Sequence, residues 1–376
     1  MNMKYIVLAA GLLLGSGALC FAAPPEVAAP AGKEIANGQQ ISVKNTGRAG
    51  ADSAEAKGYS ATLQTVDGDQ TYSRSQTFDN VHFTGNVLVT GGDVTFNFCS
   101  FTFQPPSAAH SSKAQQLGQY NNGGPAGHVV CNWCDFDTGL PVSGGNFETC
   151  NFQAGQRVGK ATTGDSSFTL YRCRLQHCGN AIAMHQFHTE KMCYVTECYF
   201  GDPTNGNKSH PDGFEIYSSD NLTVQKCRIM LTNRDQSCLN ITSDFGDVPV
   251  GNPIVINDNY ISGGSSPVLA LYQGGKVKKN VRFAGNHFSD ASQWGRECDF
   301  DHMDVTYDLA YAKAHPEVIY WAKSNVWAPD GEGVTSPAKA PSGDVPAGLP
   351  HNKGGFVDAA NFYGGATWKW NGHVVP

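Results

Sequence analysis

The sequence predicts an all-β chain whose body, residues 70–303, is a parallel β-helix, followed by a short helical or irregular C-terminal segment. Three observations predict it. Short stretches of alternating apolar residues recur with turn residues between them, in a chain with 43 glycines and only 16 % charged residues. That is the pattern of many short strands and tight turns. A triplet of Cys or Asn, any residue, then Phe, Leu or Ile recurs along the chain, each time with an apolar or interior-compatible residue three positions earlier. The spacing between triplets varies while their internal register does not, which is how a solenoid with variable loops looks.

The N-terminus reads as a secretion signal over residues 1–22. Lys4 supplies the positive start, residues 6–14 are apolar, and Cys20-Phe21-Ala22 ends on a small residue. The apolar run is too short for a membrane span, and no other long apolar run follows. Residues 23–69, rich at first in Ala, Pro and Gly, read as a leader and first cap.

The triplets then follow in order. They are Cys99-Ser100-Phe101, Cys134-Asp135-Phe136, Cys150-Asn151-Phe152, Cys173-Arg174-Leu175, Cys198-Tyr199-Phe200 and Cys227-Arg228-Ile229, then Asn259-Tyr260-Ile261 and Asn286-His287-Phe288. The step from Cys134 to Cys150 is tight for a full coil. Leucine-rich repeats need several leucines per repeat, and these are absent. In a β-helix the Cys/Asn position becomes a ladder at a corner. The chain has 12 cysteines. Stacked parallel neighbours stand about 4.8 Å apart, too far for a disulfide, whose Cβ atoms want about 3.5–4.5 Å. Free buried thiols are therefore expected at the corners, Cys150, Cys173, Cys198 and Cys227 among them.

The repeat, the corner ladder and the stretch His210-Pro211-Asp212-Gly213-Phe214-Glu215 resemble the right-handed β-helix superfamily of pectate lyases and related secreted carbohydrate-active proteins. The resemblance covers roughly residues 70–289. It implies a right-handed coil, a secreted protein and a polysaccharide substrate. A full catalytic motif of any one characterised lyase or hydrolase family is absent.

After the corners of the central coils a second strand can be aligned. It reads Ala181-Ile182-Ala183-Met184-His185, Gly213-Phe214-Glu215-Ile216-Tyr217, Cys238-Leu239-Asn240-Ile241-Thr242 and Val268-Leu269-Ala270-Leu271-Tyr272. Its second and fourth positions are apolar, so the others face outward. One outward ladder is Ala183, Glu215, Asn240, Ala270; the other is His185, Tyr217, Thr242, Tyr272. The turn before Phe214 adds Lys208, His210 and Asp212. The next coil adds Arg234, Asp235 level with His210, and Asp244. The simpler reading is a polar turn before an ordinary strand. The functional reading makes His210, Asp212, Glu215 and Lys208 catalytic. Tyr217, Arg234, Asp235, Asn240, Asp244, His185 and Tyr272 would then bind substrate.

This cluster suits three functions. A lyase cleaving an acidic polysaccharide by β-elimination, the leading expectation, needs a neutralised carboxylate and a base. Lys208 or Arg234 could neutralise, and His210, Tyr217 or Lys208 could take the proton. Ca²⁺ held by Asp212, Glu215 and Asp244 is the alternative neutraliser, and zinc held by His185 and His188, with His210 as third ligand, is the weaker metal reading. A glycoside hydrolase or epimerase needs a carboxylate pair, for which Asp212, Glu215, Asp235 and Asp244 are candidates. A non-catalytic carbohydrate-binding or surface protein would use the face only as a groove. A net charge of −7 argues against nucleic acid as partner. The expected protein is a secreted, periplasmic or extracellular monomer.

Beyond residue 303 the pattern changes. Tyr307, Leu309 and Tyr311, then Val318, Ile319 and Trp321, suggest one or two short helices broken near Pro316, which would cap the coil within residues 304–376.

Overall fold

A computed structural model gives the structure of the 376-residue chain. It describes residues 41–42, 44–53, 57–102, 114–121, 127–137, 147–154, 166–177, 180–185, 191–201, 212–217, 219–231, 237–242, 254–264, 268–270, 281–289, 297–299, 319–321, 326–328, 356–358, 368–370 and 373–375. The expected signal segment lies outside these residues.

Each coil lays down three short strands, one in each of three sheets. Sheet 1 begins with Gln70–Tyr72, sheet 2 with Gln76–Asp79, and the next strand, Val81–Phe83, joins sheet 3, whose first strand is Gln64–Val66. Sheets 1 and 3 have ten strands each and sheet 2 has nine. Among the described residues, neighbouring strands of these three sheets are parallel, except where Phe356–Asp358 closes sheet 1 antiparallel to Glu297–Asp299; a separate two-stranded sheet, Trp368–Trp370 with His373–Val375, is antiparallel. Parallel order requires a full coil between partners, and this is why the sequence repeat and the sheet register coincide.

The inward positions make one continuous core. On sheet 3, Phe83, Phe101 and Phe136 stack face to face at centroid spacings of 5.1 and 4.6 Å. Leu175, Phe200, Ile229, Ile261 and Phe288 continue the column, all essentially inaccessible to solvent. Sheet 2 contributes Phe96, Cys131, Leu170, Val195, Val224, Ile256 and Phe283. A face buried over so many coils fixes register strongly, because a one-residue slip would turn every apolar side chain outward.

The corner between sheets 2 and 3 explains the Cys/Asn triplet. The residue before it, and Asn80 before Val81 in the equivalent place of an earlier coil, is left-handed in coil after coil: Asn80, Phe98, Trp133, Arg172, Glu197, Lys226 and Asp258 have φ of 51–55°, and Gly285 has 66°. Side chains other than Asn, Asp and Gly pay about 1–2 kcal/mol for this conformation. Inter-coil bonds offset it: Trp133 N donates to Tyr171 O at 2.9 Å and Arg172 N to Thr196 O at 3.0 Å. The Cys or Asn side chain then bridges the coils. Asn259 Nδ2 donates to Val224 O at 3.0 Å and Asn286 Nδ2 to Ile256 O at 2.7 Å. Cys227 Sγ makes the equivalent bond to Val195 O at 3.5 Å, and Cys173 Sγ to Cys131 O at 3.3 Å. The acceptor side matches too. Cys227 N donates to Asn259 Oδ1 at 2.9 Å, and Cys198 N to Cys227 Sγ at 3.4 Å. Thiol and amide are thus interchangeable because both donate to a backbone carbonyl of the preceding coil and accept from a backbone N–H of that same coil. Cys99, Cys134, Cys173, Cys198 and Cys227 are free and buried, as are Cys131, Cys193 and Cys238.

Four expectations need correction. Cys150 is not a corner residue. It lies in the sheet 1 strand Phe147–Ala154, paired with Leu117 and Ile182, so the corner ladder steps directly from Cys134 to Cys173. The tight interval arose from counting two sheets of one coil as two coils. The parallel sheets also extend past both ends of the expected span, from Gln64–Val66 to Val326–Ala328. Ile319–Trp321, expected to be helical, is a sheet 2 strand paired with Val281–Ala284. Residues 301–318 lie outside the described residues. Finally, the fourth strand aligned in sheet 1 is one residue out of register. Leu239 pairs with Val268 and Asn240 with Leu269, so Leu269, not Ala270, stands in the ladder of Glu215. Val268-Leu269-Ala270-Leu271 is apolar throughout and has no alternation to pin its register.

A helix, Gly47–Ser53, went unforeseen in the leader region. Ala51 packs with Phe98 and Trp133 on the outside of the corner, and the Arg48 guanidinium donates to the carbonyls of Phe98 and Ser60.

Candidate functional site: a buried carboxylate pair on sheet 1

The strand Phe214–Tyr217 forms as its alternation dictates. Phe214 and Ile216 are fully buried in the core, while Glu215 and Tyr217 stand on the outward face. The register places Ala183 before Glu215 and Asn240 after it, and His185 and Thr242 on either side of Tyr217. Both expected ladders therefore hold for the first three coils.

Asp212 enters this strand through Gly213. A Cβ on Gly213 would lie 2.5 Å from the Cys238 carbonyl oxygen, so only glycine lets the coils approach this closely. The approach seats Asp212 between two other coils. Its N–H donates to Asn180 Oδ1 at 3.0 Å, and its carbonyl accepts from Ala181 N at 3.1 Å. Its carboxyl accepts from Ser237 N at 3.0 Å on Oδ1 and from Asn240 Nδ2 at 3.1 Å on Oδ2. Asp212 is 1 % exposed. Burial, and after it the charge of Glu215, push its carboxyl well above the ordinary range, against the pull of the Asn240 and Ser237 donors.

Glu215 is 8 % exposed. Asn180 Nδ2 donates to its Oε2 at 2.5 Å. Asn180 thus holds both acids, one by side chain and one by backbone. Tyr217 is half-buried, its hydroxyl 3.5 Å from Asn240 Nδ2. The result is a network of two carboxyl groups, two amides and a phenol across three coils. Among the described residues no cation touches Asp212.

Although it stands on the outward face, Glu215 is covered and held by Asn180. Of the expected site residues, Asp212, Glu215, Tyr217 and Asn240 come together. His185 joins them by backbone register alone. Lys208, His210, Arg234, Asp235, Asp244 and Tyr272 lie outside the described residues. Asn180 and Ser237 were missed, although the signal existed. Ile182, Phe214 and Leu239 are level, so the residues two before each form one row, Asn180, Asp212 and Ser237, polar in three successive coils.

No group of three or more His, Cys, Asp or Glu among the described residues could hold a metal ion. Asp244, third member of the expected calcium set, is not among them, nor are His188 and His210 of the zinc reading. No described helix is long and apolar enough to cross a membrane.

Residues 140–302, which include the whole network, match the family model described as right handed beta helix region. Comparison with curated proteins and with solved structures found no match. Sheet topology and this match together give the chain the fold of a right-handed parallel β-helix, with its carboxylate network inside the matched region.

Proposed function

We propose that this protein is an exported enzyme that cleaves a polysaccharide laid across sheet 1, with Glu215 as the reacting carboxylate and Asp212 as its partner. The carrying observation is the burial of Asp212 beside Glu215, with Asn180 bonded to both. Two carboxyl groups pressed together are costly, and folds retain such pairs where one acid and one carboxylate are both used. Asn180 orients Glu215, as a base or nucleophile must be oriented.

The same observation bears on the reaction. A uronic acid would bring a third carboxylate to the pair, and the chain's net charge of −7 would repel a polyanion from a distance. Elimination would draw its neutralising cation and base from Lys208, His210 and Arg234, outside the described residues. The pair therefore favours hydrolysis of a neutral polysaccharide over elimination from an acidic one.

A panel of neutral and acidic polysaccharides tests this, with new reducing ends and ultraviolet absorbance read together. Hydrolysis releases reducing ends without the absorbance of an unsaturated product. Absorbing products from an acidic polymer would restore elimination. Binding without any product would leave a carbohydrate-binding protein.

A further inference from the structure

The Asn240 side chain does not fit the site as an ordinary amide. It is 6 % exposed, its Nδ2 faces Asp212 and Tyr217, and its Oδ1 is buried with no hydrogen bond from any described residue. A buried unpaired acceptor costs about 1–3 kcal/mol. Beside it, Asp212 accepts on both oxygens. Asn240 is also the direct cross-strand partner of Glu215, and such partners are about 4.8 Å apart. With Nδ2 turned to Asp212, the Asn240 oxygen is left on a rung shared with another acceptor.

One change resolves all of this. The two ends of an amide are nearly alike in shape and differ in which donates. We infer that Asp212 carries a proton in the folded protein at neutral pH, donates it from Oδ2 to Oδ1 of a turned Asn240 amide, and so directs the Asn240 NH₂ group toward the Glu215 rung. The turned Oδ1 also faces the Tyr217 hydroxyl, which can donate to it. Ser237 N continues to donate to Asp212 Oδ1. Glu215 is then flanked by two amide donors, Asn180 from the preceding coil and Asn240 from the next.

The described titratable groups facing Asp212 are consistent with a neutral acid there. Glu215 on the same strand opposes a second negative charge. Cys238, on the following coil, is pushed up by its burial first and stays a thiol. Tyr217 is linked to Asp212 through Asn240.

This inference rests on the proposed role of Glu215 only for its consequence. Asp212 and Asn240 become positioning residues whose shared proton aims an amide at the reacting carboxylate. Loss of that proton at high pH would swing the amide back and place a second charge beside Glu215.

The test needs no substrate. Asp212→Asn imitates the neutral acid, keeping an acceptor for Ser237 N and gaining a donor for Asn240. Urea unfolding of parent and variant is followed from pH 4 to pH 9. A native acid that holds its proton above the unfolded value binds more protons than the unfolded chain between the two, so parent stability falls as pH rises through that window. The two proteins should match near pH 4. The variant should then gain about tenfold in its folding equilibrium for each unit of pKa difference, and at least tenfold by pH 8. The exchanged pair, Asp212→Asn with Asn240→Asp, should restore the parent's pH dependence. An Asp212→Asn protein that fails to fold at neutral pH, or that loses ground to the parent as pH rises, overturns the inference. Either result is independent of whether any polysaccharide is cleaved.

Discussion

Replacing Cys227 by Asn should stabilise the coil, and replacing it by Ala should weaken it. Cys227 is the last thiol before the ladder changes to Asn259 and Asn286, so both chemistries can be compared at one rung. Its sulfur donates to Val195 O at 3.5 Å and accepts from Cys198 N at 3.4 Å, long contacts for a weak donor and acceptor. Asn259 makes the same donation to Val224 O at 3.0 Å and accepts from Cys227 N at 2.9 Å. An amide at 227 would convert two weak bonds into two ordinary ones, each worth about 1 kcal/mol net, with part lost to fitting a larger side chain. The expected gain is about 1 kcal/mol. Alanine would leave Val195 O and Cys198 N buried without that partner, at a cost of about 1–3 kcal/mol. The variants should therefore differ by about 2–4 kcal/mol in urea unfolding followed by circular dichroism. An Asn variant no more stable than the Ala variant would refute the equivalence of thiol and amide in this ladder.

Further outcomes follow from the same geometry. Asn180→Leu removes the donor to Glu215 and the acceptor of Asp212 N, and should cost about 2–3 kcal/mol of unfolding free energy. Lys226 is exposed and left-handed with φ 53°, so Lys226→Gly should leave stability unchanged or raise it by up to about 1 kcal/mol, measured by thermal melting. Burial raises the Asp135 carboxyl to about 6 despite Arg174 Nε at 3.0 Å. The folded state then binds the extra proton between about pH 4 and pH 6, so acidification from pH 7 to pH 5 should stabilise the parent relative to Asp135→Asn, by about 1–2 kcal/mol in paired melts.

Much of the fold was legible because burial wrote it twice, as alternation along each strand and as a fixed register between coils. The row Ala183, Glu215, Asn240 could be read because Ile182, Phe214 and Leu239 mark the inward positions unambiguously. The register failed at Val268, where every residue is apolar, and at Cys150, whose Cys-Asn-Phe string copies the corner triplet by composition alone. The helix Gly47–Ser53 was illegible for another reason. Its sequence, GRAGADS, has little helical propensity, and it is held by docking on Phe98 and Trp133. At the site, charge was legible and coverage was not. Glu215 and Asp212 drew the eye as ionisable residues, but their burial depends on Asn180 and Ser237, which carry no charge and matter only once three coils are stacked.

The central claim is that Glu215 does chemistry in a site built by its neighbours. The most direct measurement is the turnover of a responsive polysaccharide by Glu215→Gln, with folding verified by circular dichroism. Glutamine keeps the size and can still accept from Asn180, but it cannot take a proton. Loss of such a group costs about 10²–10⁴ in rate, so turnover should fall by that factor while the melting temperature holds. Near-parent turnover by a folded Glu215→Gln protein would contradict the account.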